Sequence, residues 1–249
     1  MAFALISDLH SNIEALTAVF ARIDELGVEE VDCLGDIVGY CADPEPCAEL
    51  VMQRCSWTIM GNHDYGLFHE LRDFNPIAAE ALLYSRRKLA PSWLRPRRRR
   101  MWRFLEGLPA RMEAHGYLFV HGSPRDPIME YVLKSDGFLE PEKLTEIFSL
   151  IDRPCFVGHT HWPGVHRPDL HFTQATDDVR VIEITDEPAI VNVGSVGQPR
   201  DGDPRACFAV VDDGRVEFHR VAYDFRKTQE KILAAGLHPA LAERLAVGK

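Results

Sequence analysis

Asp8 and His10, Asp36, Asn62, His121, and His159 with His161 are the residues of this chain whose types and spacing could do chemistry. Each set follows a short apolar run, and His63 stands directly beside Asn62. Carboxylate, carboxamide and imidazole donors without a thiolate suit manganese, iron, zinc or cobalt. One ion cannot accept seven or eight side chains, but two ions could share them if one carboxylate bridges. Paired ions roughly 3.5–4 Å apart clamp the attacking and leaving oxygens of an in-line displacement and acidify a water between them. A phosphoryl centre asks for little beyond such positioning and charge neutralisation. Asp and Asn also favour turns for conformational reasons alone, yet five ordered blocks of this kind exceed what turn chemistry explains.

Elements must carry these residues to one place. The run Phe3–Ser7 reads as a strand, as does Met1 to Ser7 as a whole, which is too short for a signal peptide. Ile13, Leu16, Val19, Phe20, Ile23 and Leu26 then lie on one helical face, with Gly27 as the stop. Strands are expected at Val31–Leu34 and Trp57–Met60, with a helix after Pro44 between them. Residues from about 65 to 108 carry no strand pattern and read as a helical insertion flanking the site. Further β-rich runs appear at Leu118–Val120, Cys155–Val157, Val179–Ile184, Ala189–Val193, Cys207–Val211 and Val216–Val221. Asp213-Gly214 signals a hairpin between the last two, and the tail from Phe225 is helical with a break at Gly236 and Pro239. The chemistry-bearing residues all fall after strands, and sites in open α/β sheets form outside the carboxyl ends of strands.

A chain of 249 residues can bury one large core, so a single domain over 1–249 is expected. Its apolar fraction of 46% and charged fraction of 27% are those of a soluble globular protein. A net charge of -10 argues against general affinity for nucleic acid or anionic membrane, both polyanions. An acidic protein that handles phosphate needs local positive charge, which bound metal would supply. The six cysteines show no framework spacing and fit free thiols in a reducing cytoplasm. The run Arg95 to Arg103 reads as a solvated helix turn with Leu94, Met101 and Leu105 facing inward, the sharper alternative being a basic lid.

The five blocks are Asp8-Leu9-His10, Gly35-Asp36, Gly61-Asn62-His63-Asp64, His121-Gly122 and Gly158-His159-Thr160-His161. In this order they resemble the calcineurin-like metallophosphoesterase superfamily. Gly35–Tyr40, His121–Pro127 and Asn192–Arg200 look closest to its bacterial phosphodiesterase and diadenosine-tetraphosphatase-related branch. The resemblance implies an α/β fold, a four-layer α/β/β/α sandwich with two mixed β-sheets. It implies two divalent ions, manganese first, with iron, zinc, cobalt or nickel also fitting. Asp8, His10 and His161 would hold one, Asn62, His121 and His159 the other, and Asp36 would bridge. A metal-bridging hydroxide would attack a phosphodiester or phosphomonoester, nucleotides included, with a small phosphoester as the partner. His63 would assist the leaving group and Asp64 would orient it through the far ring nitrogen. Asn12 and Arg200 are candidates for phosphate contact. Cys41 stands where glycine is expected, a thiol that could bind metal or oxidise. Phosphoprotein phosphatase, nuclease and catalytically silent scaffold are the alternatives on the same fold.

Overall fold

The computed structural model describes residues 2–249, so Met1 of the expected Met1–Ser7 strand lies outside the described residues. The first half runs β1 (Phe3–Ile6), α1 (Ile13–Leu26), β2 (Glu30–Cys33), α2 (Pro44–Arg54), α3 (Asn62–Gly66), α4 (Pro76–Leu89) and α5 (Pro96–Glu106). The second half runs β3 (Arg111–Ala114), β4 (Tyr117–Val120), α6 (Asp136–Leu139), α7 (Pro141–Phe148), β5 (Cys155–Val157), β6 (Gly164–His166), β7 (Phe172–Gln174), β8 (Val181–Glu183) and β9 (Ile190–Asn192). It closes with β10 (Ala206–Asp212), β11 (Arg215–Val221), α8 (Phe225–Ala234) and α9 (Pro239–Glu243).

Local chemistry sets most helix starts. Pro44, Pro76, Pro96, Pro141 and Pro239 each open a helix, where a missing N–H costs nothing and φ is already helical. Asn12 caps α1 by accepting the Ala15 N–H, and Gly27 ends it in the left-handed region at φ 70°. Asp213 and Gly214, at φ 45° and 72°, make the tight turn that sets Asp212 opposite Arg215 in the β10–β11 hairpin.

Two mixed sheets form, in the orders β2-β1-β10-β11-β8 and β3-β4-β5-β9-β6-β7. β1 and β2 are parallel, as are β4, β5 and β9; the remaining pairs are antiparallel. Alternation along the strands explains the layering. Phe3 and Leu5 of β1 face Phe119 of β4 and Phe156 of β5 in a buried core between the sheets. Ala4 and Ile6 point the other way, onto Leu16, Val19 and Phe20 of α1. On the second sheet Leu118, Val120 and Val157 turn outward onto Leu144, Ile147 and Phe148 of α7. This is the expected α/β/β/α sandwich. Each buried aromatic or aliphatic side chain of these layers contributes about 1.5–3 kcal/mol.

Three expectations need correction. Trp57–Met60 is not a full strand: Thr58 alone bridges Cys33. The Ile59 N–H still reaches Cys33 O at 3.0 Å, but Met60 turns away to bond Pro109 O at 2.8 Å, and this ends the pairing. β3, β6 and β7 are not among the expected strands: β3 alternates over only four residues, Arg-Met-Glu-Ala, on a sheet edge, and β6 and β7 are three residues each, too short to show a period. Leu94 is 68% exposed, whereas Met101 and Leu105 do face inward.

Candidate metal centre

The centre forms where β1, β2, β4, β5 and β9 end. Loops after β1 and β2 are laced together by Asp8 N–H to Gly35 O at 3.0 Å, His10 N–H to Asp36 O at 2.9 Å and Ser11 N–H to Ile37 O at 2.9 Å. Asp8, His10, Asp36, His159 and His161 all have positive φ, between 45° and 67°. Non-glycine residues visit that region at a cost of order 1–3 kcal/mol each. The turns are thus tight enough to aim several side chains from one short loop at a single point. Gly61 is required by close approach: a Cβ there would lie 2.1 Å from Asp36 Oδ1.

The structure brings all seven expected ligands and His63 together, buried. His161 Nε2 is 3.1 Å from Asp8 Oδ1, and His10 Nε2 is 3.8 Å from the same oxygen. Asp36 Oδ1 accepts the His63 N–H at 2.7 Å, which leaves Oδ2 facing His121 Nε2 at 3.4 Å and His10 Nε2 at 3.7 Å. Asn62 Oδ1 lies 3.2 Å from His121 Nε2. Ligand-sized groups therefore resolve as Asp8, His10 and His161 on one side and Asp36, His121 and His159 on the other. His10, Asp36 and His63 lie equally close, so proximity alone does not separate His63 from the ligands.

Backbone carbonyls orient the rings. His10, His121 and His161 donate Nδ1–H to Val38 O at 3.2 Å, Leu34 O at 2.7 Å and Gln198 O at 2.5 Å. A carbonyl only accepts, so each of these rings presents Nε2 to the centre. His159 is reversed: Nε2 donates to Met129 O at 3.1 Å, which leaves Nδ1. Such outer contacts set the tautomer of metal-binding histidines.

The electrostatics follow. Burial raises the carboxyl of Asp8, but His161 and His121 beside it outweigh that and hold it below the ordinary range. Burial acts likewise on Asp36, and His121 and His63 bring it well below. Burial lowers His159 to about 3 and His63 to about 4. It works against His121 too, yet Asp36 lifts that ring to about 9.

Does this donor set fit a cation? His10 Nε2 and His161 Nε2 are 3.1 Å apart, and both rings already spend a proton on a carbonyl. Two neutral rings would then point lone pairs at each other beside two buried carboxylates. A cation resolves that contact, so the residues fit a divalent ion.

Other expected residues are placed differently. Asn12 does not offer its carboxamide to substrate: Oδ1 caps α1, and Nδ2 donates to Gly197 O at 2.9 Å and Tyr223 Oη at 3.2 Å. Asp64 does not orient the His63 ring. Its carboxylate accepts N–H groups of Ile37, Val38 and Gly61, and so braces the loop that carries Asp36. The His63 Nδ1 is buried without a partner against Gly39, where a Cβ would lie 2.2 Å away. Gly39 has φ 103°, so both its conformation and the ring demand glycine. Arg200 does sit at the centre's edge, donating to Tyr40 Oη at 3.1 Å and Gln198 Oε1 at 3.2 Å. Cys41 is a buried free thiol, pushed up by burial, in a cluster with Ala78 and Ala81 of α4. Arg98 pairs with Glu45 at 2.6 Å and Arg97 with Glu49 at 3.8 Å, so the basic run lies along α2.

Sequence reasoning missed four neighbours. Tyr40 packs against His10 and His63, both at 4.5 Å. Arg244 lies over Tyr40 at 5.9 Å. Tyr131 stacks on His159 at 3.7 Å, and Phe74 meets His63 edge-on at 5.3 Å. Tyr40 stood inside the Gly35–Tyr40 block; the other three carried no motif.

Residues 1–214 match the family model for the calcineurin-like phosphoesterase superfamily domain. The chain belongs to that superfamily. The phosphoesterase is 36% identical over 255 residues to an uncharacterised protein of Methanocaldococcus jannaschii, covering 99% of this chain and 98% of that one. It is similar to the crystal structure of a metallophosphoesterase from Sphaerobacter thermophilus, with 37% identity, a TM-score of 0.84 and coverage of 100% and 99%. A hypothetical protein from Pyrococcus horikoshii shares the fold at 20% identity, TM-score 0.77 and coverage of 100% and 98%. This phosphoesterase is a metal-dependent phosphoric ester hydrolase.

Proposed function

We propose that this phosphoesterase uses two divalent ions, manganese foremost, to hydrolyse small phosphodiesters or phosphomonoesters, nucleotides among them. The observation that carries the reading is Asp36, whose one free oxygen faces imidazoles of both ligand groups, as a shared carboxylate must. Asp8, His10 and His161 would hold one ion, and Asn62, His121 and His159 the other, with Asp36 common to both. Bound ions would supply Lewis acidity, giving a water nucleophile at neutral pH and neutralising phosphoryl oxygens.

The remaining work belongs to side chains. His63 has its Nδ1 buried, so Nε2 is the nitrogen that reaches the cleft. Burial keeps the ring neutral at rest, at about 4. An incoming phosphoester anion would raise the ring's affinity for a proton, and Nε2–H could then donate to the leaving oxygen. Arg200 would bind a phosphoryl oxygen, since its guanidinium is held on Tyr40, the ring that packs against His10 and His63.

Beside the centre lies a cavity of about 160 Å³ lined by Tyr40, His63, Phe74, Met129, Tyr131 and His159. Pockets for drug-sized ligands run to roughly 300–1,000 Å³. A cleft of this size supports a small substrate, and its aromatic walls support a flat leaving group such as a nucleobase or aryl ring. The test is a substrate panel on chelated protein reloaded with manganese, iron, zinc, cobalt or nickel. Bis-p-nitrophenyl phosphate, p-nitrophenyl phosphate and a dinucleoside polyphosphate would each be assayed. No turnover with any pairing would sink the proposal.

A further inference from the structure

A second group of ligand atoms lies far from this centre. Glu30 and Asp32 are two residues apart on β2, so both project from one face. They pair with Phe3 and Leu5 of β1, whose side chains fill the core between the sheets. Asp32 therefore points a carboxylate into an apolar layer. It is fully buried, and neither oxygen has a hydrogen-bond partner. An uncompensated buried carboxylate carries a large desolvation cost.

One side chain crosses to meet it from the other sheet. His115 stands in the β3–β4 turn at φ 52°. Its ring stacks on Phe3 at 4.1 Å and 17°, which fixes the plane of the imidazole. Nε2 is then 3.5 Å from Asp32 Oδ2 and 3.4 Å from Glu30 Oε1. Both separations exceed ordinary N–H···O lengths of roughly 2.7–3.2 Å. They match the edge of a tetrahedron whose centre-to-ligand distance is about 2.1 Å, the length of zinc–nitrogen and zinc–oxygen bonds. One ligand atom from each residue lies within 4.8 Å of the other two.

We propose that Glu30, Asp32 and His115 form a divalent-cation site, separate from the hydrolytic centre, that takes zinc or a similar borderline ion and ties the edge strand β2 to the β3–β4 hairpin. One imidazole and two carboxylates are a donor set of that class. With three protein ligands, water completes the coordination on the open side, where Glu30 and His115 are only half-buried. Without a cation, burial and then the charge of Glu30 push the Asp32 carboxyl up to about 7. Glu30, Asp32 and His115 belong to none of the ligand groups of the hydrolytic centre, so the two sites do not share ligands. The site is structural in function: it would pin the two sheets at the end remote from the chemistry.

The test uses zinc alone on the full chain. Chelated wild type, Asp32→Asn and His115→Asn are reloaded with zinc, desalted and analysed for metal per chain. Asparagine keeps the shape of Asp32 and tolerates the left-handed turn at His115. Wild type should retain one zinc more per chain than either variant, while hydrolysis by the variants stays within about twofold. Equal zinc content in wild type and folded variants would overturn the site. Should either variant fail to fold, diffraction from zinc-soaked wild-type crystals at the zinc absorption edge decides. An anomalous peak between Asp32 and His115 is expected, and its absence overturns the proposal.

Discussion

The Nε2 atoms of His10 and His161 sit 3.1 Å apart, with the Nδ1 of each ring committed to a backbone carbonyl. That contact is repulsive between neutral rings and becomes favourable around a cation. Metal removal should therefore cost stability along with activity. An ion held at about 100 times its Kd contributes about 2.7 kcal/mol to folding. For a chain of this size that raises Tm by roughly 5–10 °C. Calorimetry on chelated and manganese-reloaded protein measures it, and a Tm indifferent to metal would refute the pairing argument.

His63 should be separable from metal binding. His63→Asn is expected to lower kcat by about 10²–10⁴ while metal content per chain stays at the wild-type level. Loss of metal in this variant would move His63 into the ligand set instead. Gly39→Ala should act on the same ring at second hand. Its Cβ would collide with Nδ1 at 2.2 Å and its φ of 103° is costly for alanine. A loss of stability of about 1–3 kcal/mol together with a reduced kcat is expected, read by urea unfolding and steady-state kinetics.

Arg200 and the basic helix should behave oppositely. Arg200→Ala removes a charge-assisted contact worth about 1.5–3 kcal/mol, so kcat/KM should fall roughly 10–100-fold. Replacing Arg97 and Arg100 with alanine should leave kcat/KM within about twofold at physiological salt, because α5 packs on α2 rather than over the cleft. A large kinetic effect of the second change would restore the basic-lid reading.

His166 gives a stability signal in mild acid. It is buried on β6, donates Nε2–H to Leu133 O at 3.1 Å, and burial lowers it to about 4. The unfolded ring titrates near 6.5, so the unfolded state binds the proton first as pH falls. Stability supplied by the neutral ring is therefore full above about pH 6.5 and lost progressively down to about 4. The loss reaches up to about 3 kcal/mol. Urea midpoints of wild type and His166→Gln across that window should converge toward acid pH; parallel curves would show that the ring does not titrate there.

The sequence by itself determined the candidate ligand residues and the order in which the chain delivers them. Asp8, His10, Asp36, His121, His159 and His161 stand in polar loops after apolar runs and Asn62 opens α3 after another, and residue type with spacing is enough to read such places. It also determined α1, from Asn12 to Gly27, because a cap, a period and a stop are local signals. Roles that depend on where a side chain points were decided only in three dimensions. Asn12 and Asp64 looked like substrate and catalytic groups, yet their polar atoms are consumed by backbone N–H groups, the Gly197 carbonyl and the hydroxyls of Tyr223 and Thr228. Tyr131, Phe74 and Arg244 reach the centre from three separate segments of the chain, and no periodicity announces a contact between residues so distant in the chain. The same is true of Asp32 and His115, which meet only because the two sheets face each other. Local sequence governs backbone conformation within a few residues, whereas contacts across the sandwich depend on how whole layers pack.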